Sequence, residues 1–396
     1  MKKQYVIIGA SAAGIAAASK LRQLDGQARI ICITQETERP YNKCFLADYL
    51  SGIKEERAIF LKQEDFFKTQ NIELLLGQQV TSLNKKEQTI ECNNGQTFSY
   101  TALLLATGSS LSLPPIEGIK GVSNVFQFHT LRDTKHLLAH VAGKKINNVV
   151  VVGAGLSGLE CADSLSDFVK TITVVERAPQ LLPHQITSEA SKFIEQAMRN
   201  EGVTSLCNST VTRVEQKNGT VVAVYLADGK KLLVDMLVCA TGMHPNSELA
   251  KEAGLTVEQH AVVTNEYLAT SDPHIFAAGD VALVTDLLSG KKMRSCSWPD
   301  ALKQGAIAAS NMSEIVTKYS GTIATATTAF FGLKLSVAGN IHNNKSSYNS
   351  ELRKNSESFS LTFFKKGVVK GFLLIGPTVR VAQLKRSLLA GNPYCA

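Results

Sequence analysis

The chain carries one pattern twice. Gln4–Ile8 is an apolar run that ends in Gly9-Ala10-Ser11-Ala12-Ala13-Gly14; a helix-like run to Leu24 and a second apolar run, Ala28–Ile33, follow. That unit later reaches Leu103-Leu104-Leu105 and ends in Ala106-Thr107-Gly108. The second copy begins at Asn148–Val152, turns through Gly153-Ala154-Gly155-Leu156-Ser157-Gly158, and continues through a helical run to Thr171–Val175. It reaches Leu237-Val238-Cys239 and ends in Ala240-Thr241-Gly242. Strand–helix alternation of this kind builds parallel sheets wrapped by helices, so each copy is expected to be an α/β unit.

The second glycine turn has the fuller signal. Gly153 permits a tight turn, Gly155 lets the backbone approach a pyrophosphate, and Gly158 lets helix and strand pack closely. The helix opening at Leu156 and Ser157 attracts phosphate charge to its N-terminus. A strand before, a helix after and a second strand running into Glu176 supply the context of a dinucleotide-binding turn. The Glu176 carboxylate can accept hydrogen bonds from a ribose 2′-hydroxyl and would repel a 2′-phosphate, which favours NADH over NADPH. Arg177 beside it could meet a phosphate, so both nucleotides stay open. In the first turn Ser11 takes the second-glycine place, putting a small hydroxyl where the backbone would approach a phosphate. Thr34, Gln35 and Glu36 follow the second strand there as candidate ribose partners. A third signal is the apolar run Ile275-Phe276-Ala277-Ala278 ending in Gly279-Asp280, where the glycine allows close approach and the carboxylate can accept from a polyol.

At 396 residues the chain is long enough for two or three domains, and 44% hydrophobic with 19% charged residues is a globular composition. No stretch has the roughly 20 apolar residues of a membrane span. Met1-Lys2-Lys3 runs directly into the first strand without a cleavage signal, so the cytoplasm is the expected compartment. Lysines and arginines number 42 against 34 acids, a net +8. That balance suits an acidic partner, and because the basic residues are scattered it argues against nucleic acid. The eight cysteines form no Cys-x-x-Cys pair and no zinc-like spacing, so neither a metal nor a disulfide framework is expected. Cys32, Cys161 and Cys239 lie in apolar runs and are expected to be inert core residues.

Together these motifs, in this order, resemble the FAD/NAD(P)-dependent pyridine nucleotide–disulfide oxidoreductase superfamily across nearly the whole chain. The resemblance implies two Rossmann-like domains, one for FAD and one for NAD, the second inserted in the first, plus a small α+β C-terminal interface domain. Ser109–Gly118, with Pro114 and Pro115, and His244-Pro245-Asn246 mark the junctions. The expected domains are 1–112 with 245–318 for FAD, 113–244 for NAD(P)H, and 319–396 for the interface. The last would contain the polar stretch His342–Ser358, strands near Ser360–Phe364 and Val368–Ile375, and a closing helix Val379–Leu389. The resemblance places Gly9, Ala13 and Gly14 at the FAD pyrophosphate, with Ser11 and Ala12 in the same cofactor-binding turn, Gln35 or Glu36 at the adenosine ribose, Val80 lining the adenine and Arg132 reaching the FAD from a loop. It places Asp280 on the ribityl chain and Trp298 by the isoalloxazine. Ala106, Thr107, Gly108, Thr241, Gly242 and Gly279 join the cofactor-binding set, and Glu160 matches a position near the nicotinamide. A monomer or a homodimer is implied.

The subfamily turns on Pro40-Tyr41-Asn42-Lys43-Cys44-Phe45-Leu46. Rubredoxin- and ferredoxin-reductase-like members place a basic residue by the flavin here, a pattern Lys43 fits while Cys44 replaces a proline. NADH oxidases, NADH peroxidases and coenzyme A disulfide reductases use a single cysteine here, which Cys44 fits, with Lys43 able to favour its thiolate. The short segment after Ser320 suits the first group. The expected activity is electron transfer from NADH through FAD to a rubredoxin- or ferredoxin-type carrier. The alternatives are thiol chemistry at Cys44, with Lys43 and Glu160 as further catalytic candidates, and an NADH-sensing flavoprotein without steady turnover.

Overall fold

A computed structural model describes residues 3–341, 348–377 and 379–391. Met1, Lys2 and Cys395 lie outside the described residues, as do residues 342–347 of the expected polar stretch. The chain divides into two compact units. The first comprises Met1–Cys44, Glu56–Ser110 and Met243–Ala324; the second comprises Phe45–Glu55, Leu111–Gly242 and Thr325–Ala396.

The first unit is built on a five-stranded sheet in the order Ile275–Ala277, Ala102–Leu105, Gln4–Ile8, Arg29–Ile33, Ile72–Leu75. Every neighbouring pair is parallel. Ala102–Leu105 and Ile275–Ala277 are buried throughout, which is why their sequences are continuous apolar runs: a parallel sheet is covered on both faces. Helix Ala12–Leu24 packs against helix Trp298–Met312. A Cβ added to Gly305 would stand 2.1 Å from the Ala13 carbonyl oxygen, so only glycine lets the second helix come this close to the first.

In the second unit the five-stranded sheet runs Val203–Leu206, Val169–Val175, Ile146–Val152, Met236–Cys239, Val125–Gln127, again parallel throughout. The two sheets repeat one register. Ile8 lies opposite Leu105, and Val152 lies opposite Cys239, so each glycine turn starts beside its own Ala-Thr-Gly. The same unit contains a five-stranded antiparallel sheet of Thr325–Phe330, Leu333–Gly339, Val368–Ile375, Phe359–Lys365 and Asn349–Lys354, backed by helix Val381–Ala390. Leu384 and Leu388 are the buried face of that helix.

Several boundaries differ from the expected ones. Phe45–Glu55 belongs to the second unit, where the Ser164 hydroxyl donates to the Ala47 carbonyl at 3.1 Å. The residues from Thr325 onward share that unit too, and are tied to helix Leu156–Leu165 by Thr328, whose hydroxyl donates to Glu160, and by the Phe331 amide, which donates to Asp163 at 2.8 Å. Ser109–Leu111, inside the expected linker, and Met243–Pro245 are short strands. Among the described residues no helix is long and apolar enough to cross a membrane. Cys32, Cys161 and Cys239 are buried and unpaired, and burial pushes the thiols of Cys32 and Cys239 up to about 12.

Candidate cofactor sites

The two glycine turns are the same piece of geometry. Gly9 and Gly153 follow their strands with φ of 109° and 105°, in the left-handed region that disfavours any side chain. A Cβ on Gly9 would stand 2.0 Å from the Ala106 oxygen, and one on Gly153 would stand 2.3 Å from the Ala240 oxygen. Gly14 and Gly158 back against their own turns, with 1.9 Å and 2.0 Å left for a Cβ before the oxygens of Gly9 and Gly153. Ala106 and Ala240 therefore close the two turns by the same backbone contact.

In the first unit helix Ala12–Leu24 opens with no acidic residue in its first turn, so its N-terminal amides keep their positive character. Ser11 is the cap residue yet makes no side-chain capping bond. An added Cβ on Gly279 would lie 3.4 Å from the Ala13 Cβ, which places the Gly279-Asp280 turn against the start of this helix. The Asp280 carboxylate accepts from the Ser109 hydroxyl at 2.8 Å. Thr107 donates to the Asn246 carbonyl at 2.8 Å, and the Asn246 side chain donates back to the Thr107 carbonyl at 2.9 Å. Gly108 accepts from the Asn246 amide at 3.0 Å. Gln35 is exposed, whereas Glu36 is half-buried and occupied: it accepts from the Tyr41 hydroxyl at 2.6 Å and pairs with Lys43 at 3.2 Å. Val80 packs into the core, Trp298 opens helix Trp298–Met312, and Cys44 is exposed. These residues suit a flavin dinucleotide: a turn of small residues, an uncapped helix start and an anchored carboxylate.

In the second unit the cap position of helix Leu156–Leu165 is Gly155, and a Cβ there would meet nothing within 4 Å. That open space, with no acidic residue in the first turn, is the room a pyrophosphate needs. Leu156 and Ser157 are half-buried in this turn. Glu176 is buried, and both its oxygens are engaged: one accepts from the Ala154 amide and the other from the Ala178 amide, each at 2.8 Å. Arg177 next to it is exposed. Thr241 donates to the Ser112 carbonyl at 2.8 Å, and Gly242 has a φ of 99°. Glu160 lies past the first helical turn, and burial pushes its carboxyl above the ordinary range against the opposing Thr328 bond. Arg132 corrects an expectation: it sits exposed in the first turn of helix Leu131–Val141, not on a loop, because Thr130 and Asp133 form a reciprocal capping box that starts the helix there.

Sequence reasoning passed over Asn246, Ser109 and Gln304. Asn246 lies in the His244-Pro245-Asn246 junction, Ser109 directly follows Ala-Thr-Gly, and Gln304 is six residues after Trp298. Each acts through a bond to a residue distant in the chain, and a local pattern carries no trace of such a bond.

Residues 3–305 match the family described as pyridine nucleotide-disulphide oxidoreductase. An NADH oxidase of Methanocaldococcus jannaschii is 35% identical over 79% of this chain and 71% of its own length. A rubredoxin-NAD(+) reductase of Pseudomonas putida is 32% identical over 78% of this chain and 79% of its own. Among solved structures, the covalent putidaredoxin reductase–putidaredoxin complex superposes with a TM-score of 0.88 at 27% identity, covering 98% of this chain and 92% of that one. The chain belongs to the pyridine nucleotide-disulphide oxidoreductase family and is an FAD-dependent NAD(P)H oxidoreductase.

Proposed function

We propose that this reductase passes electrons from NADH through FAD to an acidic one-electron carrier of the rubredoxin or ferredoxin type, in the cytoplasm. The observation that carries this reading over thiol chemistry is the Lys43–Glu36 pair. A nearby cation favours a thiolate, but the Lys43 charge is balanced by a carboxylate, which weakens its pull on the Cys44 thiol. The relatives that reduce rubredoxin and putidaredoxin support the same acceptor class, and the net +8 charge suits an acidic protein.

Bound FAD would supply the capacity to take a hydride from NADH and release its electrons singly. The chain supplies binding and order. Gly9, Ala12, Ala13 and Gly14 would present amides to the FAD pyrophosphate, with the Ser11 hydroxyl beside them. Asp280, oriented by Ser109, would accept from the ribityl hydroxyls, and Glu36 or Gln35 from the adenosine ribose. Val80 and Trp298 would bound the adenine and the isoalloxazine. Gly153, Gly155, Leu156, Ser157 and Gly158 would hold the nicotinamide nucleotide's pyrophosphate, and Glu176 would keep that loop closed while its charge disfavours a 2′-phosphate. Glu160 would serve the nicotinamide end, and Arg177 and Arg132 the exposed phosphates.

The test is anaerobic reduction by NADH followed by stopped-flow reoxidation with rubredoxin, peroxide and coenzyme A disulfide in parallel. Rubredoxin is expected to reoxidise the flavin fastest, at a rate that falls with salt as screening removes electrostatic steering. Faster reoxidation by peroxide or the disulfide, abolished in Cys44→Ser, would replace this reading with the thiol one. Slow reoxidation by all three would mark an NADH sensor.

A further inference from the structure

Gln304 is fully buried and has no role in the motif reading, yet it sits where the structural pieces of the FAD cradle converge. Its Oε1 accepts from the Gly279 amide at 2.8 Å. A backbone amide can only donate, so the orientation of the Gln304 amide is fixed: Nε2 must face the other way. There it donates to Asp300 Oδ2 at 2.8 Å, one helical turn earlier on helix Trp298–Met312, and to the Tyr319 hydroxyl at 3.3 Å. The Tyr319 hydroxyl donates to the Asp300 carboxylate, 2.7 Å and 2.8 Å from its two oxygens. Tyr319 is itself held, its amide donating to the Glu266 carbonyl at 2.7 Å and the Lys303 ammonium lying 5.4 Å from its ring centre. Burial together with the Asp300 carboxylate pushes the phenol far above its ordinary range, so Tyr319 stays a donor at any physiological pH.

The surroundings say what this chain of bonds fixes. Gly305, next to Gln304, is pressed against the Ala13 backbone. Cβ atoms built on Gly279 would lie 3.4 Å from Ala13 and 3.9 Å from Ala301. The Gln304 amide thus joins the Gly279-Asp280 turn to the start of helix Trp298–Met312, while Gly305 beside it meets the start of the first glycine-turn helix. We infer that Gln304, aligned by Asp300 and Tyr319, is a positioning residue that sets the Gly279-Asp280 turn for the flavin polyol. This rests on the reading of Asp280 as the residue that accepts from that polyol.

The test uses the purified holoenzyme and follows FAD release on dilution by the rise in flavin fluorescence, with the midpoint potential of the bound flavin and the melting temperature measured alongside. Tyr319→Phe removes the bond to Asp300 and one acceptor of Gln304 Nε2, and is expected to release FAD about tenfold faster and to shift the potential, with melting changed little. Gln304→Glu keeps an acceptor for the Gly279 amide but sets a carboxylate against Asp300, and is expected to do more. Because Tyr319 and Asp300 bond to each other and hold the same Gln304 Nε2, Tyr319→Phe should add less than its full single effect in an Asp300→Asn background. Unchanged release and potential in Tyr319→Phe, or a full additive effect in the double variant, would overturn the inference. Asp280→Asn tests the underlying reading separately: if it leaves FAD release unchanged, Asp280 does not hold the polyol. If it speeds release while Tyr319→Phe and Gln304→Glu do not, only the positioning role fails. Should Gln304→Glu not fold, Tyr319→Phe and the double variant decide alone.

Discussion

The Lys43 ammonium stands 3.2 Å from the Glu36 carboxylate, whose other oxygen accepts a 2.6 Å bond from Tyr41. This arrangement balances the charge next to Cys44. Cys44→Ser is therefore expected to reduce rubredoxin and artificial dyes with NADH at rates within about twofold of the parent. A steady-state comparison of the two proteins checks it. A large loss with every acceptor would show that the thiol takes part.

Gly153 and Gly155 are two residues apart and should fail in different ways. Gly153→Ala forces a side chain into a left-handed backbone and against the Ala240 carbonyl, with an expected loss of about 2 kcal/mol or more in chemical denaturation. Gly155→Ala meets open space within the protein, so its melting temperature should hold. The new methyl stands where the pyrophosphate would approach, and KM for NADH should rise about tenfold or more while the flavin stays bound. An unchanged KM in Gly155→Ala would move the nucleotide away from this turn.

Glu176 holds the loop by accepting from both Ala154 and Ala178. In Glu176→Gln one of those amides faces an NH₂ group and loses its acceptor. The expected cost is about 1–3 kcal/mol of stability, with a raised KM for NADH and a narrower preference over NADPH now that the charge is gone. Urea denaturation with paired NADH and NADPH kinetics tests this. Unimpaired stability would mean the carboxylate does not hold the loop.

Glu160 gives a pH signature. Burial raises its carboxyl above the ordinary 4.5, so the folded protein binds more protons there than the unfolded chain. Stability from this group therefore falls as pH rises through the interval above 4.5 and is unimpaired below it. Glu160→Gln keeps an acceptor for the Thr328 hydroxyl and removes the titration. The variant should match the parent near pH 4 and exceed it near pH 7 in urea denaturation (both pH values approximate). An equal difference at both pH values would rule out the burial argument.

The sequence alone determined the two parallel sheets, both glycine turns and the Ala-Thr-Gly strands beside them. Such features are written in short periods: apolar runs at strand length, and glycines where a turn admits no side chain. Gln4–Ile8 and Val368–Ile375 were legible to the residue for that reason. Tertiary structure alone decided that Glu176 closes its own loop, that Lys43 spends its charge on Glu36, and that Asn246, Ser109 and Gln304 secure turns far from them in sequence. Those outcomes depend on which polar groups meet in space. A local pattern names the groups but not their partners, and for a buried carboxylate or amide the partner sets the role.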